Sequence, residues 1–211
     1  MGEFPPPWWE AVKGQTLRTL ALILAMVAAL NLPVMAADES VATTTPVQRK
    51  SPAELRADSL DKLFARLRRG PDEAKAAEQG IWKIWMTADS PTAEVLLGQA
   101  TKAINDKALP QAMAMLTRLV GAYPDFAEGW NKRATVFFMI GRDGESLADI
   151  ERTLDLEPRH FGALSGRGMI YQRQKKYSAA EEAFRDALSV NPALDSATSA
   201  IKEMERLERG I

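Results

Sequence analysis

Residues 127–160 read AEGWNKRATVFFMIGRDGESLADIERTLDLEPRH, and residues 161–194 read FGALSGRGMIYQRQKKYSAAEEAFRDALSVNPAL. Laid one over the other, the two stretches share a frame, and residues 93–126 fall into it as well. Pro124, Pro158 and Pro192 close the three units and stand 34 residues apart in both intervals. The fourth residue of each unit is large and apolar: Leu96, Trp130 and Leu164. The eighth is small (Ala100, Ala134, Gly168), and the eleventh is Ala103, Phe137 or Tyr171. The twentieth is small again (Ala112, Ser146, Ala180), and the twenty-fourth is Leu116, Ile150 or Phe184. A fixed period in this range is the mark of a stacked repeat protein.

Each unit predicts two antiparallel helices joined by a short turn. The turns fall at Asn105-Asp106-Lys107, Gly141-Arg142-Asp143-Gly144 and Lys175-Lys176. Small residues at the eighth and twentieth places let the paired helices approach, and the large apolar residues fill the space around them. The proline near the end of a unit stops its second helix. One such hairpin cannot bury its apolar face alone, so the units must stack. No segment alternates with period two, and no Asn-Gly or Asp-Gly turn separates β-branched runs. The expected class is all-α.

The pattern resembles the tetratricopeptide repeat. It covers residues 93–194, with TPR 1 at 93–126, TPR 2 at 127–160 and TPR 3 at 161–194. Trp130-Asn131-Lys132-Arg133-Ala134-Thr135, followed by Pro158-Arg159-His160-Phe161-Gly162-Ala163-Leu164, is also similar to a group of small exported bacterial tetratricopeptide proteins. The resemblance implies a helical-hairpin solenoid whose first helices line a concave groove. In the middle unit the groove positions fall on Glu128, Asn131, Thr135, Phe138 and Met139. In the last they fall on Gly162, Ser165, Met169, Gln172 and Arg173, and in the first on Glu94, Leu97, Thr101, Ile104 and Asn105. Of these, Glu128, Asn131, Thr135, Phe138, Ser165, Met169, Gln172 and Arg173 make the candidate partner-binding groove. Asn and Gln can hydrogen-bond a peptide main chain whatever its sequence, and Arg173 can take a carboxylate. Some members of the family clamp the terminal carboxylate of chaperones. The matching positions here are Leu97, Thr101, Lys132, Gly162 and Gly166, and only Lys132 has the required charge.

The flanks extend the helical reading. Ser51-Pro52-Ala53-Glu54 is a helix start with Ser51 as N-cap and Glu54 closing a capping box. Leu55, Leu60, Leu63, Phe64 and Leu67 follow, and Gly70-Pro71 ends that helix. A second helix is expected from about Asp72 to Thr87, ending near Asp89-Ser90-Pro91. Residues 51–92 thus read as a degenerate helical hairpin preceding the three repeats, with Pro91 one residue past the repeat's expected proline. Residues 195–211 read as a capping helix and tail, with Ile201, Met204 and Leu207 inward and Lys202, Glu203, Glu205, Arg206 and Glu208 wet.

Residues 1–36 read as an export signal. Lys13 and Arg18 precede an uncharged run from Thr19 to Ala37, Pro33 breaks it, and Val34 and Ala36 form a small-residue cleavage site. The run is also just long enough to span a bilayer, and Trp8-Trp9 suits a membrane interface, so an uncleaved anchor is the alternative. Both place the repeats outside the cytoplasm, in the periplasm. Residues 37–50 are polar and aperiodic, which predicts a disordered tether.

Composition narrows the chemistry. The chain of 211 residues has no cysteine and one histidine, and 27 basic against 28 acidic residues give a net charge of −1. There is no thiolate nucleophile, no Cys-based or multi-His metal site and no basic footprint for nucleic acid. No phosphate-binding glycine loop or nucleophile elbow is present. No cofactor and no enzymatic activity are expected. His160 reads as a packed residue hydrogen-bonded across the junction of two units, and Arg133 as an ion-pair partner of Asp149. Trp82 and Trp85, three residues apart, read as core. The expected function is an exported, non-enzymatic protein–protein interaction module that binds a partner segment in the groove. The alternative is a self-associating or membrane-tethered scaffold of the cell envelope, with Trp82, Trp85, Phe138 and Met139 as its contact face.

Overall fold

The computed structural model of the chain describes residues 50–209. The expected signal or anchor at 1–36, and the tether up to residue 49, lie outside the described residues. Among the described residues there are helices and turns and no strand. No helix among them is long and apolar enough to cross a membrane. The helices are α1 (Pro52–Arg66), α2 (Pro71–Met86), α3 (Pro91–Asn105), α4 (Leu109–Ala122), α5 (Ala127–Met139), α6 (Asp143–Leu156), α7 (Phe161–Arg173), α8 (Tyr177–Val190) and α9 (Asp195–Glu208).

The helices start where the local chemistry sets them. Ser51 Oγ accepts from the Glu54 amide at 3.2 Å, and the Ser51 amide donates to Glu54 Oε2 at 2.7 Å, so the capping box of α1 forms as expected. Pairs α3–α4, α5–α6 and α7–α8 are the three repeats, and each turn is built the same way. A residue with positive φ stands at the same repeat position: Lys107 (58°), Gly141 (78°) and Lys175 (59°). The amide that follows it bonds back to the carbonyl five residues earlier: Ala108 to Ala103, Arg142 to Phe137 and Lys176 to Tyr171, at 2.8–2.9 Å. This is the bond that closes a helix end over a left-handed residue. Only the middle repeat has glycine there, and a side chain in that region costs about 1–2 kcal/mol. Lys175 is exposed. Lys175→Gly should therefore stabilise by about 1 kcal/mol and raise the thermal midpoint by about 2–4 °C. An unchanged or lower midpoint in a calorimetric scan would contradict this.

Small residues do what the repeat pattern requires. A Cβ on Gly168 would stand 2.9 Å from three ring atoms of Phe184, so α7 and α8 meet at a distance only glycine permits. Ser146 Oγ donates to the Ala134 carbonyl at 2.8 Å, joining α6 to α5 at the corresponding place. Arg133 and Asp149 make the expected pair through two hydrogen bonds of 2.7 and 2.8 Å. The Arg133 guanidinium also lies 4.9 Å from the Trp130 ring centroid. At the C-terminal end α9 packs on α8, with Ala197 and Met204 buried against Ala180 and Phe184.

The α1–α2 hairpin is present, but it does not extend the stack. α2 makes little contact with α3; it lies instead against α5 and the start of α7. Leu60, Phe64, Ile81 and Trp85 share one apolar cluster with Phe161, and Val190 and Leu194 pack on it from the last repeat. The reason is apolar area. Trp82 and Trp85 find an aromatic partner in Phe161, at ring distances of 5.4 and 4.9 Å, which the small residues leading α3 do not supply.

Candidate protein-binding groove

The first helices of the repeats, α3, α5 and α7, touch one another in succession. A hollow of about 150 Å³ opens between α5 and α7. Asn131, Thr135, Phe138, Ser165 and Met169 line it, all of them expected groove residues. Gly162, Gly166, Ala134 and Ile150 also contribute, which the family's groove positions alone did not bring out for the last three. For Ala134 the available signal was its place as the repeat's small eighth residue, and for Ile150 its place as the large apolar twenty-fourth. Met169 is 46% exposed, and Phe138 is half-buried.

Other expected groove residues are already engaged. Arg173 donates to the Phe138 carbonyl at 2.8 Å, pairs with Asp143, and lies 3.8 Å above the Phe138 ring centroid. Its charge is matched within the chain, and it does not line the hollow. Gln172 is half-buried beside it and does not line the hollow. Thr135 Oγ1 donates to the Asn131 carbonyl at 3.0 Å.

Glu128 and Asn131 need correction. Glu128 is 1% exposed and Asn131 is 8% exposed, so Glu128 lies beneath the groove and Asn131 shows only an edge. Leu97 of the first repeat is buried too. Glu128 is held inward by His160, which is fully buried. Its Nδ1 accepts from the Ala163 amide at 3.1 Å, capping α7. Because Nδ1 offers a lone pair, the ring proton sits on Nε2, which donates to Glu128 Oε2 at 2.9 Å. Asn131 Nδ2 donates to the same oxygen at 3.0 Å, and Lys132 Nζ is 3.3 Å from the other. The expected hydrogen bond across the junction is thus present, and Glu128 is its acceptor.

Burial alone would raise the Glu128 carboxyl, but the His160 hydrogen bond, the Lys132 charge and the Asn131 amide outweigh it. They hold the group below its ordinary value of 4.5. Ionised Glu128 therefore stabilises the fold above that pH, and the contribution is lost as pH falls through the lowered folded value. Glu128→Gln should weaken the protein at about pH 6 and flatten its loss of stability on going to about pH 3. Urea unfolding at both pH values checks this, and an equally steep acid loss in the variant would refute it.

Trp82 and Trp85 are spent inside the fold, as their spacing suggested. Trp85 stacks on His160 at 4.1 Å, and Trp82 meets it edge-on at 5.6 Å. The contact face that the sequence offered for self-association is reduced to Phe138 and Met139. Among the described residues no group of His, Asp and Glu is arranged to hold a metal ion.

The tetratricopeptide-repeat profile matches residues 162–194. A TPR repeat-containing protein of Rhizobium etli is 36% identical over 163 residues, covering 76% of this chain and 78% of that protein. The chain belongs to the tetratricopeptide-repeat family. Sperm-associated antigen 1 of Rattus norvegicus is 31% identical over 109 residues, 52% of this chain but 12% of that longer protein. Among solved structures, the first TPR of Spaghetti (RPAP3), bound to an HSP90 peptide, superposes with a TM-score of 0.55 at 20% identity. It covers 58% of this chain and 97% of that one. MamA superposes with a TM-score of 0.52 at 20% identity, covering 65% of this chain and 81% of that one. At these identities the structures speak for the fold. The TPR fold is in general a protein-interaction module, and the all-α helical repeat seen here is that fold.

Proposed function

We propose that this TPR protein is an exported, non-enzymatic binding module that holds an internal segment of an envelope protein in the α5–α7 groove. The observation that carries the reading is the hollow beside Met169: apolar in its floor, open to solvent at Met169, and of a size for one aliphatic side chain. Asn131, Thr135 and Ser165 at its edge suit the main chain of the same segment. A terminal carboxylate is not the favoured ligand. Leu97, Thr101, Gly162 and Gly166 carry no charge, and Lys132 is paired with Glu128. The peptide-bound TPR neighbour supports the kind of use, and the basic, then apolar, residues at 13–37 support export to the periplasm.

A photoreactive residue at Met169, with a control at exposed Glu182 on α8, tests the reading in cells. A discrete crosslinked band from Met169 alone in the periplasmic fraction is the expected result. No band, or equal bands from both sites, would overturn it. Met169→Glu should reduce partner capture by about tenfold or more, which is about 1.4 kcal/mol of binding, with the thermal midpoint unchanged because the site is exposed. Full capture by that variant would remove the hollow as the binding site.

A further inference from the structure

The α1–α2 hairpin meets the stack through a specific set of groups. Asp61 Oδ1 accepts from Arg159 Nη1 at 2.5 Å, and Glu78 Oε2 accepts from Asn191 Nδ2 at 3.2 Å. The Trp82 ring lies 2.8 Å from where a Cβ on Gly162 would be, and Lys132 Nζ stands 5.9 Å from its centroid. The Phe64 ring sits beneath the Arg159 guanidinium at 4.3 Å. The hairpin therefore offers carboxylates and aromatic rings to a face built of Arg159, Lys132, Asn191 and Phe161.

Open clefts flank that interface. Between α1, the residues after α2 and the repeat junctions lies an open cleft of about 630 Å³. Trp85 lines it, is 5% exposed, and has an indole N–H without a partner. A buried donor left unpaired keeps the full penalty of its desolvation, which weakens the docked state. The hairpin is joined to the repeats by the short stretch 87–90 and has little contact with α3 to hold it there.

We propose that the face under α1–α2 is a second binding surface, for a helical segment that sets carboxylates and aromatic rings where Asp61, Glu78, Phe64 and Trp82 stand, and that the hairpin is its resident, displaceable occupant. The hairpin states the chemistry such a partner must match. Its carboxylates satisfy Arg159 and Asn191, and its rings cover Phe161 and the glycine step at Gly162. The two surfaces meet at Gly162, but Met169 belongs to the groove alone.

A fluorescent synthetic peptide of residues 51–89, added to the full chain, is the probe, and anisotropy reads its binding. Asp61→Lys in the full chain sets two positive charges together at a site whose carboxylate side chain is 66% exposed, so the stack itself stays folded. That variant should bind the peptide about tenfold more tightly than the wild-type chain, because more of it has the face uncovered. A peptide with both Asp61→Lys and Glu78→Lys should lose binding. Trp82→Ala in the full chain is the second loosened variant, with helicity by circular dichroism as its folding control. Met169→Glu should leave peptide binding unchanged, which separates this result from the groove experiment. If neither loosened variant binds the peptide more tightly than wild type, or if the charge-reversed peptide binds as well, the proposal is wrong.

Discussion

His160→Ala is expected to lower the unfolding free energy by about 4 kcal/mol, a large effect for the loss of one buried polar group. The loss has three sources. The α7 amide at Ala163 loses its cap, which costs about 1 kcal/mol. Trp85 loses a ring stacked at 4.1 Å, about 0.5–1.5 kcal/mol. Glu128 is left buried with one donor removed; an uncompensated buried charge costs about 3–5 kcal/mol, and Lys132 and Asn131 offset part of that. The midpoint should fall by about 10 °C at the usual scaling for this chain length. His160→Asn keeps a capping group and should recover about 1 kcal/mol. Combining His160→Ala with Glu128→Ala should cost less than the sum of the two single changes, because the stranded carboxylate is gone. Strict additivity in calorimetry would show that the pair is not coupled.

Phe161→Ala is expected to cost about 3–5 kcal/mol, the range for emptying an aromatic site in a closed core. Phe161 is 1% exposed and touches both Trp82 and Trp85 across the hairpin interface. Its removal should act on the hairpin first. Tryptophan emission should shift to the red at temperatures where far-ultraviolet helicity is still native, since α1–α2 loosens before the repeats melt. One coincident transition by both probes would show that hairpin and stack separate only together.

The repeats were legible because their signals are local and recur. Proline spacing, small eighth and twentieth residues and the turn residues act within one hairpin, so the sequence carries them directly. The capping box at Ser51 and the Arg133–Asp149 pair were legible for the same reason. The inward turn of Glu128 was not. It depends on His160, 32 residues away in sequence, descending into the junction and needing an acceptor there. The family's groove positions assign Glu128 to the surface; a lone histidine at a unit boundary was the only hint otherwise. The docking of α1–α2 was legible in part. The spacing of Trp82 and Trp85 marked them as core, yet helical period names a buried face and not the surface that buries it. The choice of Phe161 over α3 rests on contacts that no local pattern encodes.

The bonds from Asp61 to Arg159 and from Glu78 to Asn191 join residues 98 and 113 apart in sequence. Stacked repeats otherwise make short-range contacts, which close quickly as a chain folds. The hairpin leaves the ribosome well before the helices it docks on have been made. At about 5–20 residues per second, α1–α2 waits for about 5–20 s with Trp82, Trp85 and Phe64 uncovered. For that interval the nascent chain displays an aromatic surface that the finished protein conceals, and whatever shields nascent chains from clumping has its strongest claim on this molecule then.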